Sequence, residues 1–338
     1  RHIHVISPTV GSVYQITQDI VNYLYNFHHI TKEYTNDKPQ IPKQLDILLI
    51  HFLQIQYVET EIFYQFKKRI LIQPIDGTHI KRKFVNAMNQ FDLIITPATA
   101  GKEILRKNGI TVQIEVVPNY WNHEIYDYQQ WPIPVDDNTF LFYHESYGQP
   151  RKRIARLCEG YLRAFSNSNL EKQKLIIKTC NDKSLNQHIA KFKKMYKNPA
   201  NIEFITDFLP IQKLRWIWKR TNCYISLSGI EGFCIPMLNM SVLNKPIISI
   251  KNSIFGYMDF VDDTFLINSD MLCLENDNEI YNDTKNCWVD FPNYKYQYIL
   301  QHVINTVDEI DTLNTDISKY EKYLKLNVML TYKRLIEE

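Results

Sequence analysis

The stretch Ser228–Ser249, SGIEGFCIPMLNMSVLNKPIIS, carries the most information about the fold. One apolar segment precedes it and another ends it, while Gly232 and Pro236 lie close together between them. Glycine lets a backbone approach a ligand closely, and proline suits the first turn of a helix because its missing N–H is not needed there. The stretch therefore predicts a strand, a short helix and a second strand, with backbone amides at the helix N-terminus that favour phosphate.

Asn244 marks the end of the predicted helix. It directly precedes Lys245-Pro246, and asparagine is a common substitute for glycine in the left-handed conformation that ends many helices. We therefore expect a helix of about eight residues between the two strands.

Apolar segments alternate with helical patterns on both sides of this stretch. Near-continuous apolar strands separated by helices are typical of a parallel sheet that is covered on both faces. The sequence thus predicts an α/β fold with doubly wound parallel sheets. The predicted strands are Ile3–Ser7, Leu45–Leu53, Arg69–Asp76, Phe91–Pro97, Val112–Asn119, Phe140–His144, Lys174–Cys180, Ile202–Ile205, Cys223–Ser228 and Pro246–Ile250.

The polar, proline-containing stretch Trp131–Asn138 separates two such alternations. A chain of 338 residues has room for two domains of about 150 residues each. We expect an N-terminal domain over residues 1–130 and a C-terminal domain over residues 131–317. The last helix, over residues 318–338, is expected to join the N-terminal domain.

The composition excludes several classes of protein. Hydrophobic residues make up 45% of the chain and charged residues 22%, which is typical of a globular protein rather than a disordered one. The 39 Lys and Arg residues are balanced by 37 Asp and Glu residues, so there is no basic excess of the kind that binds nucleic acid. The 22 tyrosines against 9 glycines are expected of an AT-rich coding sequence, as in some microbes and large viruses.

The cellular location is predicted from the cysteines and the apolar segments. The 6 cysteines form neither a CxxC pair nor a zinc-binding spacing, which favours reduced thiols in a cytoplasmic protein. The apolar N-terminal stretch is too short and interrupted for a signal peptide, and no segment is long enough to predict a transmembrane helix. The basic clusters Lys67–Arg69 and Lys81–Lys83 suit a peripheral contact with anionic lipid, although a solvated face explains them equally simply.

At residues 231–248, EGFCIPMLNMSVLNKPII, the sequence resembles the donor-site signature of GT-B glycosyltransferases, and of glycosyltransferase family 4 in particular. The usual form there is EGFG, a proline, a second glutamate and GxPVI. Looser similarity extends over DILLIHF, FDLIITPATAGKEIL, VQIEVVPN and NIEFITDFLPIQKLRWIWKRTNCYISLS. The resemblance implies two Rossmann-like domains that face a cleft, with a sugar nucleotide held mainly by the second domain and the acceptor by the first.

The resemblance also implies roles for the residues of this stretch. Glu231 would hydrogen-bond the hydroxyls of the transferred sugar, although a solvated glutamate beside a helix cap is the plainer alternative. The residues whose backbone would hold the diphosphate or the sugar are Gly232, Phe233, Cys234 and Ile235.

Two departures from the family pattern accompany one match. Lys152 matches the family lysine that neutralises the leaving diphosphate. The family arginine five residues earlier is Tyr147 here, so Arg151 or Arg153 would have to supply the second positive charge. The family's second glutamate, which binds ribose hydroxyls, is Asn239, whose amide can bind a diol without charge assistance.

In the first domain the resemblance implies a weaker set of candidates. Gly11 and Ser12 lie on the loop where relatives carry a glycine pair near the donor phosphates. Asp76 and His79, in IDGTHIK, lie where many relatives have a histidine or an acid near the anomeric carbon. Either side chain would orient the acceptor hydroxyl, and an ordinary surface turn is the alternative.

The implied activity is that of a retaining glycosyltransferase. It would move a sugar from a nucleotide diphosphate, with a UDP-sugar favoured over a GDP-sugar, to a glycan or other hydroxyl acceptor. No metal or other cofactor is expected, because Lys152, an arginine and the helix N-terminus would stabilise the leaving diphosphate. The acidic pairs Asp136-Asp137 and Asp262-Asp263 fall in predicted loops rather than at a strand end.

Two other functions stay open at this point. The replacements at Asn239 and Tyr147 suit a degenerate GT-B protein that binds a sugar nucleotide or a glycan without transfer. A GT-B sugar-nucleotide epimerase would share the cleft but needs acidic residues positioned at the anomeric centre. In each case the expected partner is a sugar nucleotide, with or without an acceptor, and not a nucleic acid.

Overall fold

A computed structural model describes residues 1–8, 11–34, 45–53, 55–130, 138–166, 172–180, 183–262, 264–270, 272–274, 287–310 and 317–338. The chain divides into two compact units. The first unit comprises Arg1–Tyr120, Leu274–Cys287 and Glu321–Glu338, and the second comprises Trp121–Cys273 and Trp288–Tyr320. The domain limits expected from the sequence stay predictions, since most of the separating stretch, residues 131–137, lies outside the described residues.

The first unit is built on six parallel strands in the order β2-β1-β3-β4-β5-β6. The strands are β1 (His2–Ser7), β2 (His29–Tyr34), β3 (Ile47–His51), β4 (Lys68–Ile72), β5 (Leu93–Thr96) and β6 (Gln113–Val116). Its helices are α1 (Gly11–Leu24), α2 (Ile55–Val58), α3 (Arg82–Met88), α4 (Thr99–Lys107) and α10 (Lys325–Glu337), with a 3-10 turn at Glu61–Gln65. Every residue of β3 is buried, as expected of a strand covered on both faces.

The second unit repeats this architecture with a different strand order. Its sheet runs β12-β11-β10-β7-β8-β9, and all of its strand pairs are parallel. The strands are β7 (Phe140–Glu145), β8 (Gln173–Lys178), β9 (Asn201–Ile205), β10 (Cys223–Ile225), β11 (Ile247–Lys251) and β12 (Leu266–Asn268). The α-helices of the described chain in this unit are α5 (Ile154–Phe165), α6 (Lys183–Lys193), α7 (Ile211–Arg220), α8 (Ile235–Val242) and α9 (Asn293–Ile310).

Shorter elements complete the described chain. They are the 3-10 turns His123–Tyr126, Pro150–Lys152, Gly256–Asp259 and Ile317–Tyr323 and the strands β13 (Leu272–Leu274) and β14 (Cys287–Val289). The final helical segment is thus divided, because α10 begins only at Lys325, after the last 3-10 turn. No helix in the part of the chain described here is long and apolar enough to cross a membrane.

The strand order of the second unit locates its ligand-binding edge. Counted within that unit, the order is 3-2-1-4-5-6, and the direction of sheet growth reverses between β7 and β10. In open parallel sheets, ligands bind outside the carboxyl ends of the strands at this point of reversal. The loops that follow β7 and β10 are therefore where the fold itself predicts a site. In the first unit the same reversal lies between β1 and β3.

Candidate functional site

Glu231 lies in the loop after β10, and its carboxylate is surrounded by two cations from the loop after β7. The residue is only 4% exposed. Lys152 Nζ donates a hydrogen bond to Oε1, and Arg151 Nη1 donates to Oε2 at 3.3 Å. Burial on its own would raise the pKa of Glu231, but the positive charges of Lys152 and Arg151 outweigh burial and lower the pKa to about 2. The site therefore holds a carboxylate and two cations at neutral pH.

Backbone hydrogen bonds hold the two loops against each other. The Arg151 carbonyl accepts from the Gly229 N–H at 2.7 Å and from the Ser228 hydroxyl at 3.1 Å. Arg151 Nη1 also donates to the Ile230 carbonyl at 3.0 Å. Because the loop contacts come from the backbone as well as from side chains, the meeting of Arg151 and Glu231 is fixed by the fold of both loops.

Arg153 takes a different direction from its two basic neighbours. Its backbone is left-handed, with φ of 51°, and it is the residue that precedes α5. Its Nη1 donates to the Val289 carbonyl at 2.6 Å and lies 3.7 Å from a carboxylate oxygen of Asp290. Of the two arginines that the sequence offered as partners for Lys152, Arg151 is thus the one placed beside Glu231.

The helix α8 has the length and ends that the sequence predicts. It spans eight residues, Ile235–Val242, with Pro236 in its first turn. Asn244 is left-handed, with φ of 54°, which confirms the predicted stop. The Lys245 N–H donates to the Met240 carbonyl at 2.9 Å, and the Asn244 N–H donates to the Ser241 carbonyl at 3.1 Å. This is the Schellman arrangement, in which a left-handed residue lets the chain satisfy the last carbonyls of a helix.

The two side chains between Glu231 and α8, those of Phe233 and Cys234, are largely buried. Phe233 is buried and its ring lies 5.0 Å from the ring of Phe260. Cys234 is left-handed, with φ of 70°, a conformation that turns the chain sharply before α8 begins at Ile235. Burial, followed by the negative charge of Glu231, raises the pKa of the Cys234 thiol to about 12, so this thiol is protonated at neutral pH. Gly232 and Phe233 are buried in this loop, and Cys234 is mostly buried.

Asn239 lies inside α8, in its second turn, and is largely buried. It is therefore on the short helix that follows the Glu231 loop. Tyr147 lies on the loop after β7 and is 64% exposed. The structure places both residues in the unit that carries Glu231 and Lys152.

His144 belongs to the site although the sequence analysis did not single it out. It is fully buried at the carboxyl end of β7. Its Nδ1 donates to the Ile225 carbonyl of β10 at 2.7 Å, and its Nε2 accepts from the Ser146 hydroxyl at 2.7 Å. Burial lowers its pKa to about 4, with the nearby Lys152 acting in the same direction. A neutral imidazole therefore ties β7 to β10 where the two site loops begin, a role that only its three-dimensional neighbours reveal.

The candidates of the first unit lie on different loops of that unit. Gly11 and Ser12 are the first residues of α1, which follows β1. Asp76 and His79 follow β4, with Asp76 half-buried and His79 exposed. His79 Nδ1 lies 3.0 Å from the Thr78 hydroxyl. These four residues belong to the first unit, whereas Lys152, Arg151 and Glu231 meet within the second.

A second buried histidine lies at the strand-order reversal of the first unit. His51, at the end of β3, has its Nδ1 at 2.8 Å from the Thr17 hydroxyl of α1. Burial lowers the pKa of His51 to about 3, so it is neutral at physiological pH. Phe52, the next residue, has φ of 76°, which is rare for a bulky side chain.

Metal-binding side chains were also sought in the described ranges. No group of three or more His, Cys, Asp or Glu side chains there is placed to hold a metal ion. Asp262 instead accepts a hydrogen bond from the Thr264 N–H at 2.9 Å. Asp136, Asp137 and Asp263 lie outside the described residues.

Comparison with known proteins finds likeness in structure and not in sequence. No protein-family model matches the sequence, and no curated protein matches it. Sucrose-phosphate synthase from Thermosynechococcus elongatus aligns with a TM-score of 0.74 and 10% identity, over 100% of this chain and 98% of that chain. A UDP-forming trehalose-phosphate synthase from Burkholderia xenovorans aligns with a TM-score of 0.71 and 9% identity, over 99% and 98% of the two chains.

HepE from Anabaena, solved in complex with UDP and glucose, aligns with a TM-score of 0.69 and 12% identity over 99% of each chain. These three solved structures are GT-B glycosyltransferases. Together with the two six-stranded parallel sheets and their flanking helices, this likeness confirms the α/β class that the sequence predicts. The chain has the GT-B fold, with two Rossmann-like domains.

Proposed function

We propose that the protein is a glycosyltransferase similar to those of family 4, which transfers a sugar from a nucleotide diphosphate to a hydroxyl acceptor. One observation carries the proposal: Lys152, Arg151 and Glu231 meet at the carboxyl ends of β7 and β10, beside the N-terminus of α8. This is the edge at which Rossmann-like sheets bind nucleotides. The HepE structure holds UDP-glucose, which supports a UDP-sugar as the donor in this chain.

Lys152 and Arg151 would stabilise the diphosphate as it leaves. Both side chains are mostly shielded from solvent, with 13% and 16% of their surfaces exposed. Positive charges held in a shielded site stabilise developing negative charge more strongly than they would in water. The arginine fork would add a bidentate grip on phosphate oxygens that lysine lacks. These cations would do the work of a metal ion, so we propose that transfer is metal-independent.

Glu231 and the start of α8 would hold the sugar and the phosphates. A carboxylate accepts hydrogen bonds from two neighbouring sugar hydroxyls, and its low pKa keeps it charged for that purpose. The backbone from Gly232 to Ile235 leads into α8, whose N-terminus favours an anion. Asn239 on the same helix would bind the ribose through its amide. Retention at the anomeric carbon is proposed on the family resemblance.

The first unit would supply the acceptor side. Gly11 and Ser12 follow β1, next to the reversal of strand order in that sheet, where a parallel sheet binds its ligands. Asp76 and His79 would orient the hydroxyl group of the acceptor, which would be a glycan or another small alcohol. We place the activity in the cytoplasm, which agrees with the free cysteines of the described chain.

A non-catalytic sugar-nucleotide binder is the second candidate. Two replacements favour it: the exposed Tyr147 stands where the family has an arginine, and the buried Asn239 stands where it has a glutamate. Such a protein would bind the donor through Lys152 and Glu231 without releasing a nucleoside diphosphate.

A turnover experiment separates these functions. The protein is incubated with UDP-, GDP- and TDP-sugars and a panel of glycan and small-alcohol acceptors, with excess chelator in half of the samples. We expect acceptor-dependent release of the nucleoside diphosphate that chelator does not reduce, and proton NMR of the product reports the anomeric configuration. Binding without release would favour the non-catalytic candidate. Loss of activity in chelator would contradict the metal-independent mechanism.

A further inference from the structure

The ion pairs at Glu231 have a consequence for ligand discrimination, which rests on the proposed function. Lys152 and Arg151 each donate a hydrogen bond to a different oxygen of the Glu231 carboxylate. A diphosphate held by the same two cations has to share them with that carboxylate or displace it. The carboxylate and the diphosphate are both anions, so each weakens the hold of the other on the cations.

We propose that Glu231 competes with the diphosphate for Lys152 and Arg151, and thereby makes the site bind the sugar-bearing donor in preference to the bare nucleoside diphosphate. The two ligands differ in what they offer the carboxylate once it has lost its cations. A sugar nucleotide brings hydroxyl groups that donate hydrogen bonds to Glu231. A bare nucleoside diphosphate lacks that sugar, and it leaves a buried carboxylate without its strongest partners.

Burial makes this difference large. Glu231 is 4% exposed, so water does little to replace the partners that it loses. Leaving a buried charged group without hydrogen-bond partners costs considerably more free energy than exchanging one partner for another. The hydrogen bonds that the Gly229 N–H and the Ser228 hydroxyl donate to the Arg151 carbonyl keep the two loops together, so the carboxylate stays near the ligand. Glu231 would therefore act on product release as well as on donor binding.

The test compares binding of UDP, inorganic pyrophosphate and a UDP-sugar by calorimetry in matched variants. Glu231→Gln keeps the shape of the side chain and removes its charge. We expect it to bind UDP and pyrophosphate about tenfold more tightly than the unchanged protein does, with a smaller gain for the UDP-sugar. Glu203→Gln removes one negative charge from the same unit, at the Lys174 pair on β8 and β9, and is expected to leave both affinities unchanged.

A second variant guards against misfolding. Glu231→Asp keeps the negative charge that balances the two shielded cations. Its shorter side chain holds these cations less well, so it too should bind UDP more tightly, by less than Glu231→Gln does. In a protein that already carries Lys152→Gln, the increase in UDP affinity from Glu231→Gln should be less than half as large. The reason is that one of the two cations for which Glu231 and the diphosphate compete is gone.

The possible results separate this inference from the proposed function. In one case the unchanged protein binds UDP, and folded Glu231→Gln and Glu231→Asp bind it equally well or more weakly. That result overturns the competition but is consistent with the donor site. An unchanged protein that binds neither UDP nor pyrophosphate overturns the donor site and the competition together. If Glu231→Gln raises the affinity for UDP and for the UDP-sugar equally, the substitution has only made the site attract anions in general. That result also overturns the proposed preference for the sugar-bearing donor.

Discussion

Glu231 is a buried carboxylate held by two cations. Its two cationic partners, Arg151 and Lys152, lie 80 and 79 residues earlier in the sequence. The pairing therefore depends on the fold of the whole second unit. The cations lower the pKa of Glu231 to about 2, although burial opposes this shift. A charged, shielded side chain of this kind costs stability unless it is paired, and such groups cluster at ligand sites.

His144 provides a pH-dependent test at a single side chain. Its pKa is lowered in the folded protein from 6.5 to about 4 by burial, so between these values only the unfolded chain takes up the proton. Stability must therefore fall as the pH drops from 6.5 towards 4, by up to about 3 kcal/mol from this residue. Gln at position 144 can keep both hydrogen bonds without titrating. Urea unfolding of His144→Gln should show a shallower loss of stability over this range.

The other buried histidines, His51 among them, stay in place in that experiment. His51 has a pKa of about 3 and remains in both proteins, so its contribution cancels in the comparison. If stability fell equally with pH in the unchanged protein and in His144→Gln, the pKa of His144 in the folded protein would be close to its ordinary value of 6.5. That result would contradict a neutral His144 that links β7 to β10.

The contact between α5 and α9 allows a prediction about packing. Gly160 lies inside α5, and a Cβ added there would overlap the ring of Tyr296 on α9. Alanine normally favours a helix over glycine by about 1 kcal/mol, but overpacking a core costs about 1–3 kcal/mol. Gly160→Ala should therefore lower the free energy of unfolding. Adding Tyr296→Leu should recover part of the loss, and a Gly160→Ala protein as stable as the original would contradict this packing.

The strand β2, His29–Tyr34, was not predicted from the sequence. The reason is that the buried residues of this segment, HITKEY, include the charged Glu33. In the structure Glu33 accepts from Tyr57 at 2.6 Å and lies 3.1 Å from His4 Nε2, so these side chains satisfy one another inside the protein. A search for apolar runs cannot detect a core that is held by hydrogen bonds. By contrast, the fully buried β3, apolar except for His51, and the short helix α8 were both predicted.

Over the whole chain, the alternation of strands and helices was enough to predict the α/β class, because most parallel strands buried on both faces are near-continuous apolar runs. The strand order and its reversal between β7 and β10 depend on contacts between distant segments, which no local pattern carries. For the same reason the sequence could not choose between Arg151 and Arg153. The choice follows from the left-handed backbone at Arg153, which turns its side chain towards Val289.

The proposed function depends on a nucleoside-diphosphate site at Lys152, and calorimetric titration of UDP into variant proteins tests that site most directly. The unchanged protein should bind UDP at one site, and Lys152→Met should weaken binding by more than about tenfold, since a charge-assisted contact to phosphate is lost. Lys295→Met removes a charge from a half-buried position of α9, where Nζ donates to the Asn268 carbonyl at 3.2 Å, and should leave UDP affinity unchanged. Equal UDP affinity in Lys152→Met and the unchanged protein, or no binding of UDP to either, would contradict the proposed donor site.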